Sequence, residues 1–276
     1  MLTNIKMLIA ACKKSEIKYE ILHPNHNLVK VITGDREYFF TNYSTPLTPQ
    51  SVAEIFKDKQ YFYQVFQDVV QMPRTVSFIS PFCDAKYSEY LEFSSIDQIV
   101  IQVAQKFEFP VIVKRNRGSG GNNVFKCEDL TQVRNALDTI FNVNTKNYDY
   151  VALVQKPINI VKEYRSVCLN QKQIVLYEKD ISRAKFTGNL SPLHWEGAIA
   201  KLVEDSQIIQ EIDNFIQPIF QKMPITYVGL DVALDDQNNY WLIEANSHPN
   251  FDIFIRDNGE EKIIILFQKM LEYLSS

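Results

Sequence analysis

Glycine is scarce in this chain, at 8 of 276 residues against roughly 7% in ordinary proteins. That scarcity excludes collagen-like and glycine-rich low-complexity architectures. Three of the eight, Gly118, Gly120 and Gly121, nevertheless fall almost side by side. Backbone is kept bare at one place, and the search for function starts there. Cysteine is equally sparse. Cys12, Cys83, Cys127 and Cys168 are scattered and form no C-x-x-C pair, which suits neither a disulfide framework nor a zinc site. Reduced, mostly buried thiols are expected. The four histidines, His23, His26, His194 and His248, have no triad or metal-ligand spacing and read as structural or surface residues. No stretch approaches the ~18 uncharged apolar residues of a membrane span; patches such as Ile263–Phe267 are far shorter. Residues Met1–Leu22 carry Lys6, Lys13, Lys14 and Glu16 and lack the apolar core of a signal peptide. Neither sign of charge dominates: 29 basic and 33 acidic residues give a net charge of −4, with no general attraction to nucleic acid or anionic membrane. A cytoplasmic globular protein, without nucleic-acid or membrane partners, is the expectation.

What is present is a mixed pattern. Residues 4–16 suit a helix, followed by short strands at Tyr19–Leu22, Leu28–Thr33 and Glu37–Thr41 around a Gly34-Asp35 turn. Thr48 and Pro49 read as N-cap and first helical residue, and Asp58 as the cap of a helix that restarts there. Residues 75–156 read as β, α, β–loop–β, α, β. Beyond Pro157, strands at Tyr164–Leu169 and Ile174–Lys179 lead into a loop at 183–197. A helix over Glu204–Phe220, two strands and a C-terminal helix over Glu260–Leu274 complete an α+β chain. Three units are expected: 1–74, a short N-terminal α/β region with linker helices, then 75–156 and 157–276.

The glycine cluster sits in Val113-Lys114-Arg115-Asn116-Arg117-Gly118-Ser119-Gly120-Gly121-Asn122-Asn123-Val124. Closely spaced glycines let backbone N–H groups wrap phosphate oxygens, and Lys114, Arg115 and Arg117 add positive charge. A P-loop would need Lys-Ser/Thr after the last glycine, and a dinucleotide fingerprint would need a helix start; neither follows. A flap-like hairpin over a triphosphate, or an ordinary flexible hairpin, fits the stretch.

The second informative stretch pairs Tyr227–Leu234 with Tyr240–Asn246. An even-length turn sets Asp231 opposite Glu244. That register puts Val228, Leu230, Val232 and Leu234 on one face with Trp241, Ile243 and Ala245. It gathers Asp231, Glu244 and Asn246 on the other, with Leu242 as a misfit. Three hard oxygen donors suit Mg²⁺ or Mn²⁺; a solvated outer sheet face is the alternative.

Taken together, these segments resemble the ATP-grasp family, in particular its carboxylate–amine ligases of the glutathione synthetase, D-alanine–D-alanine ligase, ribosomal-protein glutamate ligase and cyanophycin synthetase types. Five segments carry the resemblance, in order over roughly 57–250. They are KDK at Lys57–Lys59, FPVIVKRNRGSGGNNV at Phe109–Val124, LVQKPI and KEYR within Leu153–Arg165, GLDVA at Gly229–Ala233, and EANSHP at Glu244–Pro249. The resemblance implies an ATP-grasp fold in which 75–156 is the lid and 157–276 the base, clamping ATP. It implies that Lys59 and Lys114 reach the phosphates and that Gly118, Ser119, Gly120 and Gly121 close on them. It further implies adenine binding at the hinge Gln155, Lys156 and Ile158, and ribose binding by Glu163. Arg165 and Arg183 would face the reacting phosphate and substrate. Asp231, Glu244 and Asn246 would hold Mg²⁺, two ions in the family, with Mn²⁺ as a substitute. Lys59 as a solvated helix lysine, and Glu163 with Arg165 as a surface ion pair, are the plain alternatives.

The implied reaction joins a carboxylate to an amine through an acyl phosphate, on a small molecule, peptide or protein tail; such relatives are often homo-oligomers. A phosphotransferase that stops at the phosphorylated substrate, and a nucleotide-binding subunit without turnover, are the other readings. Three features depart from the family pattern. Asn250 stands where a glycine is frequent. Ser191-Pro192-Leu193-His194 replaces an Asn-Leu-His-like segment, leaving Arg183 as the candidate there. The region before the linker helices is short.

Overall fold

The computed structural model describes all 276 residues. Three antiparallel sheets organise it. Helix α1 (Thr3–Lys14) precedes a small sheet of β1 (Lys18–Ile21), β2 (Leu28–Thr33) and β3 (Arg36–Thr41). Two short helices follow, α2 (Gln50–Lys57) and α3 (Lys59–Phe66). Pro49, not Thr48, stands at the cap of α2; the Thr48 hydroxyl instead donates to the Tyr227 carbonyl at 3.4 Å. Asp58 caps α3 as its position predicts, accepting from the Tyr61 N–H at 3.0 Å.

The middle sheet has the order β4 (Thr75–Ile79), β7 (Val151–Gln155), β5 (Val111–Arg115), β6 (Val124–Cys127). Helices α4 (Ile96–Lys106) and α5 (Leu130–Ile140) pack on one face. Their stripes of Ile99, Val103, Val133 and Leu137 meet Val111 and Val113 in one core. Because side chains alternate along β5, Lys114 emerges on the opposite face from Val113.

The largest sheet runs β10 (Ile199–Leu202), β9 (Lys172–Asp180), β8 (Ile160–Leu169), β11 (Tyr227–Asp235), β12 (Tyr240–Asn246). One face, with Tyr164, Cys168, Leu176, Val228, Leu230 and Val232, packs against α6 (Ser206–Lys222), α2 and α3. The opposite face is divided. At one end Val167, Val175 and Tyr227 join a core with α1, β2, α7 (Asp252–Asn258) and α8 (Glu261–Ser275). The N-terminal residues 5–47 therefore share a core with the C-terminal half rather than forming one of their own. The C-terminal helix expected over Glu260–Leu274 is present, but α7 ahead of it was not anticipated from the sequence.

Candidate active site

The unpacked end of that face carries charge. Cross-strand pairing runs Tyr177, Arg165, Asp231, Glu244 in one row over β9, β8, β11 and β12. In the neighbouring rows Val167, Gly229 and Asn246 lie on one side, and Glu163 with Ala233 on the other. The Asp231–Glu244 register is the one the hydrophobic pattern selects. A bulge between Asp231 and Val232 then shifts the pairing so that Val232 faces Leu242. This corrects two side-chain placements. Leu242, the misfit of a regular hairpin, turns into the core and is fully buried. Trp241 moves to the polar face, where its indole N–H donates to Asp235 at 2.8 Å.

The face is not a solvated exterior: Asp231 is buried. Arg165 donates to both Asp231 oxygens, with Nη2 at 2.8 Å from Oδ2. Lys179, buried on β9, lies 2.9 Å from Asp231 Oδ2 and also donates to Glu163. Glu163 and Arg165 thus do not pair with each other at the surface; each has a different, buried partner. Burial opposes the charge on Asp231, but Arg165 and Lys179 hold its carboxyl well below the usual range. For Glu163 burial wins over Lys179, and its pKa is raised. Gly229 seats Arg165: a Cβ there would come within 3.2 Å of Arg165 Cδ and of Pro249 Cγ. The bare position makes room for the guanidinium stem.

Across a cleft of about 320 Å³ stands the glycine loop, with Lys59, Arg117, Gly118 and Ser119 on one wall and Glu244 and Asn246 on the other. Lys59 begins α3 and its Nζ donates to the Gly118 carbonyl at 2.5 Å. It points at the loop and is not a solvated helix lysine. Asn116, buried, fixes this approach: its side chain accepts from the Gln60 N–H at 2.8 Å and its carbonyl from the Lys59 N–H at 3.4 Å. Arg117 reaches back to Asp58 and Glu54. Lys114 donates to Gln155 Oε1 at 3.0 Å. Burial and the neighbouring charge of Lys59, opposed by Glu244, bring the Lys114 pKa down to about 8. Gly120 and Gly121 adopt positive φ of 63° and 71°, which glycine does without strain. The far side of the loop touches residues 189–194: Asn189 Nδ2 donates to the Gly120 carbonyl at 2.8 Å.

The hinge is partly committed. The Lys156 N–H donates to Arg74 O at 2.9 Å, and Ile158 O accepts from the Ile160 N–H at 3.0 Å. The Lys156 carbonyl and the Ile158 N–H remain, an acceptor and a donor that match a purine edge. Arg183 is exposed on the loop after β9 and makes no ion pair or side-chain hydrogen bond; it is not drawn into the charged cluster. Lys179, Asn116 and Asn189 escaped the sequence reading. Only Lys179 had a usable signal, since it continues the Val175-Tyr177 phase of a strand whose neighbours on that face are Glu163 and Arg165.

Glu244 and Asn246 line the cleft, while Asp231, paired with Glu244 across the strands, is buried with its oxygens bound by Arg165 and Lys179; oxygen donors of this kind suit a hard divalent cation. Asn246 already donates to Glu244 Oε1 at 3.3 Å, which leaves its amide oxygen facing away from that bond. No helix is long and apolar enough to cross a membrane.

The chain is 30% identical over 160 residues to the uncharacterised protein MG012 of Mycoplasma genitalium, covering 57% of this chain and 50% of that protein. It is 22% identical over 175 residues to the alpha-aminoadipate–LysW ligase LysX of Sulfurisphaera tokodaii, covering 63% and 58%. The chain thus spans about half the length of the curated relatives it matches. Among solved structures, a bifunctional glutathione synthetase from Pasteurella multocida superposes with a TM-score of 0.57 at 16% identity, over 99% of this chain and 44% of that one. A D-alanine–D-alanine ligase from Bacillus anthracis gives 0.53 at 15% identity, over 80% and 70%. At such identities these likenesses establish the fold. The family model of the RimK-like ATP-grasp domain matches residues 90–274, and the chain belongs to that family.

Proposed function

We propose that this protein is an ATP-dependent ligase that joins a carboxylate to an amine. The observation that carries the reading is the cleft, with Lys59, Arg117 and the glycine loop on one wall and Glu244 and Asn246 on the other, and with Lys114 buried nearby, close enough to feel the charges of Lys59 and Glu244. A polyanion fits the first wall and its metal counter-ion the second. The name of one relative, an alpha-aminoadipate–LysW ligase, supports an acid–amine reaction over other uses of the fold.

In this reading residues 75–156 form the lid and 157–276 the base, with 1–74 packed behind it. The Lys156 carbonyl and Ile158 N–H bind the adenine edge beyond Gln155, and Glu163 accepts from ribose hydroxyls. Lys59, Lys114 and the N–H groups of Gly118–Gly121 bind phosphate oxygens and orient the terminal phosphoryl group. The substrate carboxylate takes up that group, releasing ADP; the amine then displaces inorganic phosphate from the acyl carbon. Arg165 stabilises charge on the transferring group, and Arg183 with Lys185 recognises an acidic small molecule or peptide at the mouth of the 186–197 loop. Asp231, Glu244 and Asn246 would hold Mg²⁺, which would supply positive charge to the phosphate chain.

The test is ADP release from Mg²⁺ and ATP, screened against pools of amino acids and acidic peptides. Release should depend on a pool and vanish in Glu244→Ala, with the circular dichroism spectrum unchanged. Undiminished release from that variant would sink the metal assignment.

A further inference from the structure

Asp231 is the metal donor whose oxygens are already engaged. Arg165 Nε binds Oδ1, Arg165 Nη2 lies 2.8 Å from Oδ2, and Lys179 Nζ lies 2.9 Å from Oδ2. A carboxylate offers about four lone-pair positions, and most of those here face a cation. All members of this network are shielded from water: side-chain exposure is 2% for Asp231, 5% for Lys179, 11% for Glu163 and 13% for Arg165. The two cations and the carboxylates of Asp231 and Glu163 balance. A divalent ion approaching Asp231 would therefore meet two fixed positive charges at short range in a medium of low dielectric constant. Glu244, opposite Asp231 on β12, makes no ion pair and has only the 3.3 Å contact from Asn246.

We propose that Lys179 is a positioning residue which, with Arg165, occupies Asp231 as a built-in counter-ion and bars a divalent cation until an anionic phosphate chain draws the two side chains away. Metal and nucleotide then bind as a linked pair, and the linkage resides in the Arg165–Asp231–Lys179–Glu163 network. The inference rests on reading Asp231, Glu244 and Asn246 as the metal donors. Lys179 touches no reacting atom in this role. It acts through Asp231, and its contact with Glu163 ties the proposed ribose acid to the same switch. A purely structural lysine would behave differently: removing it would lower every binding constant through damage and would raise none.

The experiment uses Mn²⁺ on the full chain, followed by water-proton relaxation, which separates protein-bound ion from the free ion and from its complex with a non-hydrolysable ATP analogue. The nucleotide-free protein should bind Mn²⁺ weakly, and the analogue should tighten binding. Lys179→Gln should raise the nucleotide-free Mn²⁺ affinity by about tenfold, the scale on which groups behind metal ligands act. Lys179→Arg should restore weak binding. Lys162→Gln, which removes an exposed lysine on β8, should change nothing. Equal Mn²⁺ affinity in wild type with and without the analogue overturns the inference and leaves the metal site standing, and needs no variant. Unchanged affinity in Lys179→Gln also overturns it. No protein-bound Mn²⁺ even with the analogue overturns the metal reading itself, and this inference with it.

Discussion

Replacing Lys114 with Met should make the protein more stable while weakening its grip on nucleotide. Lys114 is nearly fully buried, and its pKa falls from the ordinary 10.5 to about 8 through burial and the charge of Lys59, against Glu244. A gap of that size corresponds to about 3 kcal/mol of disfavoured charge at neutral pH. The variant loses the 3.0 Å bond to Gln155, a term of about 1–2 kcal/mol. A net gain of about 1–2 kcal/mol remains, or roughly 3–6 °C in Tm for a chain of this size. The pH dependence fixes the sign. Between about 8 and 10.5 the unfolded chain holds a proton that folded Lys114 has released, so this residue's contribution to stability rises with pH across that window. The stability advantage of Lys114→Met should therefore shrink steadily from pH 8 to 10.5. Nucleotide affinity should drop about 10- to 100-fold, the loss of one charge-assisted phosphate contact. Urea denaturation of both proteins at several pH values, with calorimetric titration of ATP, reads all of this. A variant less stable than wild type at pH 7, with a difference independent of pH, would refute the reasoning.

Other residues give separate tests. Asp58→Ala removes the α3 cap and the partner of Arg117; it should cost about 1–2 kcal/mol and raise the KM for ATP by misplacing Lys59. Gly121→Ala forces a side chain into a left-handed residue, where its Cβ would overlap Asn189 Oδ1 at 1.9 Å. Being on an exposed loop, it should shift Tm by under about 3 °C yet impair ATP turnover, as steady-state assays would show. In titration with a thiol reagent, Cys83 should react first, and Cys12, Cys127 and Cys168, all buried, only on unfolding.

The β11–β12 hairpin was legible because two independent patterns chose one register: the apolar set needed a core, and the register that supplies it gathers the oxygen-bearing side chains on the other face. The bulge was not legible, although Leu242 carried its mark, since an apolar residue in the polar phase has to turn inward by some local irregularity. The order of elements over 75–156 could be read for the same reason, each strand and helix having a clear period. Packing of residues 5–47 against the C-terminal helices could not, because nothing local in either segment names its distant partner. Lys179 was missed through expectation. A buried lysine is rare without a partner, and its partners, Glu163 and Asp231, lie on other strands. The hinge was half legible: Pro157 signalled where the strand stops, but the engagement of the Lys156 N–H by Arg74 depends on how the chain enters β4. Arg183 illustrates the limit of order alone, since its place after a strand says nothing about where a loop aims a side chain.

The most direct measurement is chemical trapping of the intermediate. With ATP, Mg²⁺, a carboxylate substrate from the screen and hydroxylamine in place of the amine, an acid–amine ligase releases ADP and yields the substrate hydroxamate in equal amount, and Glu244→Ala yields neither. ADP release with a stable phosphorylated product and no hydroxamate would contradict the ligase reading, and nucleotide binding without any ADP release would contradict catalysis altogether.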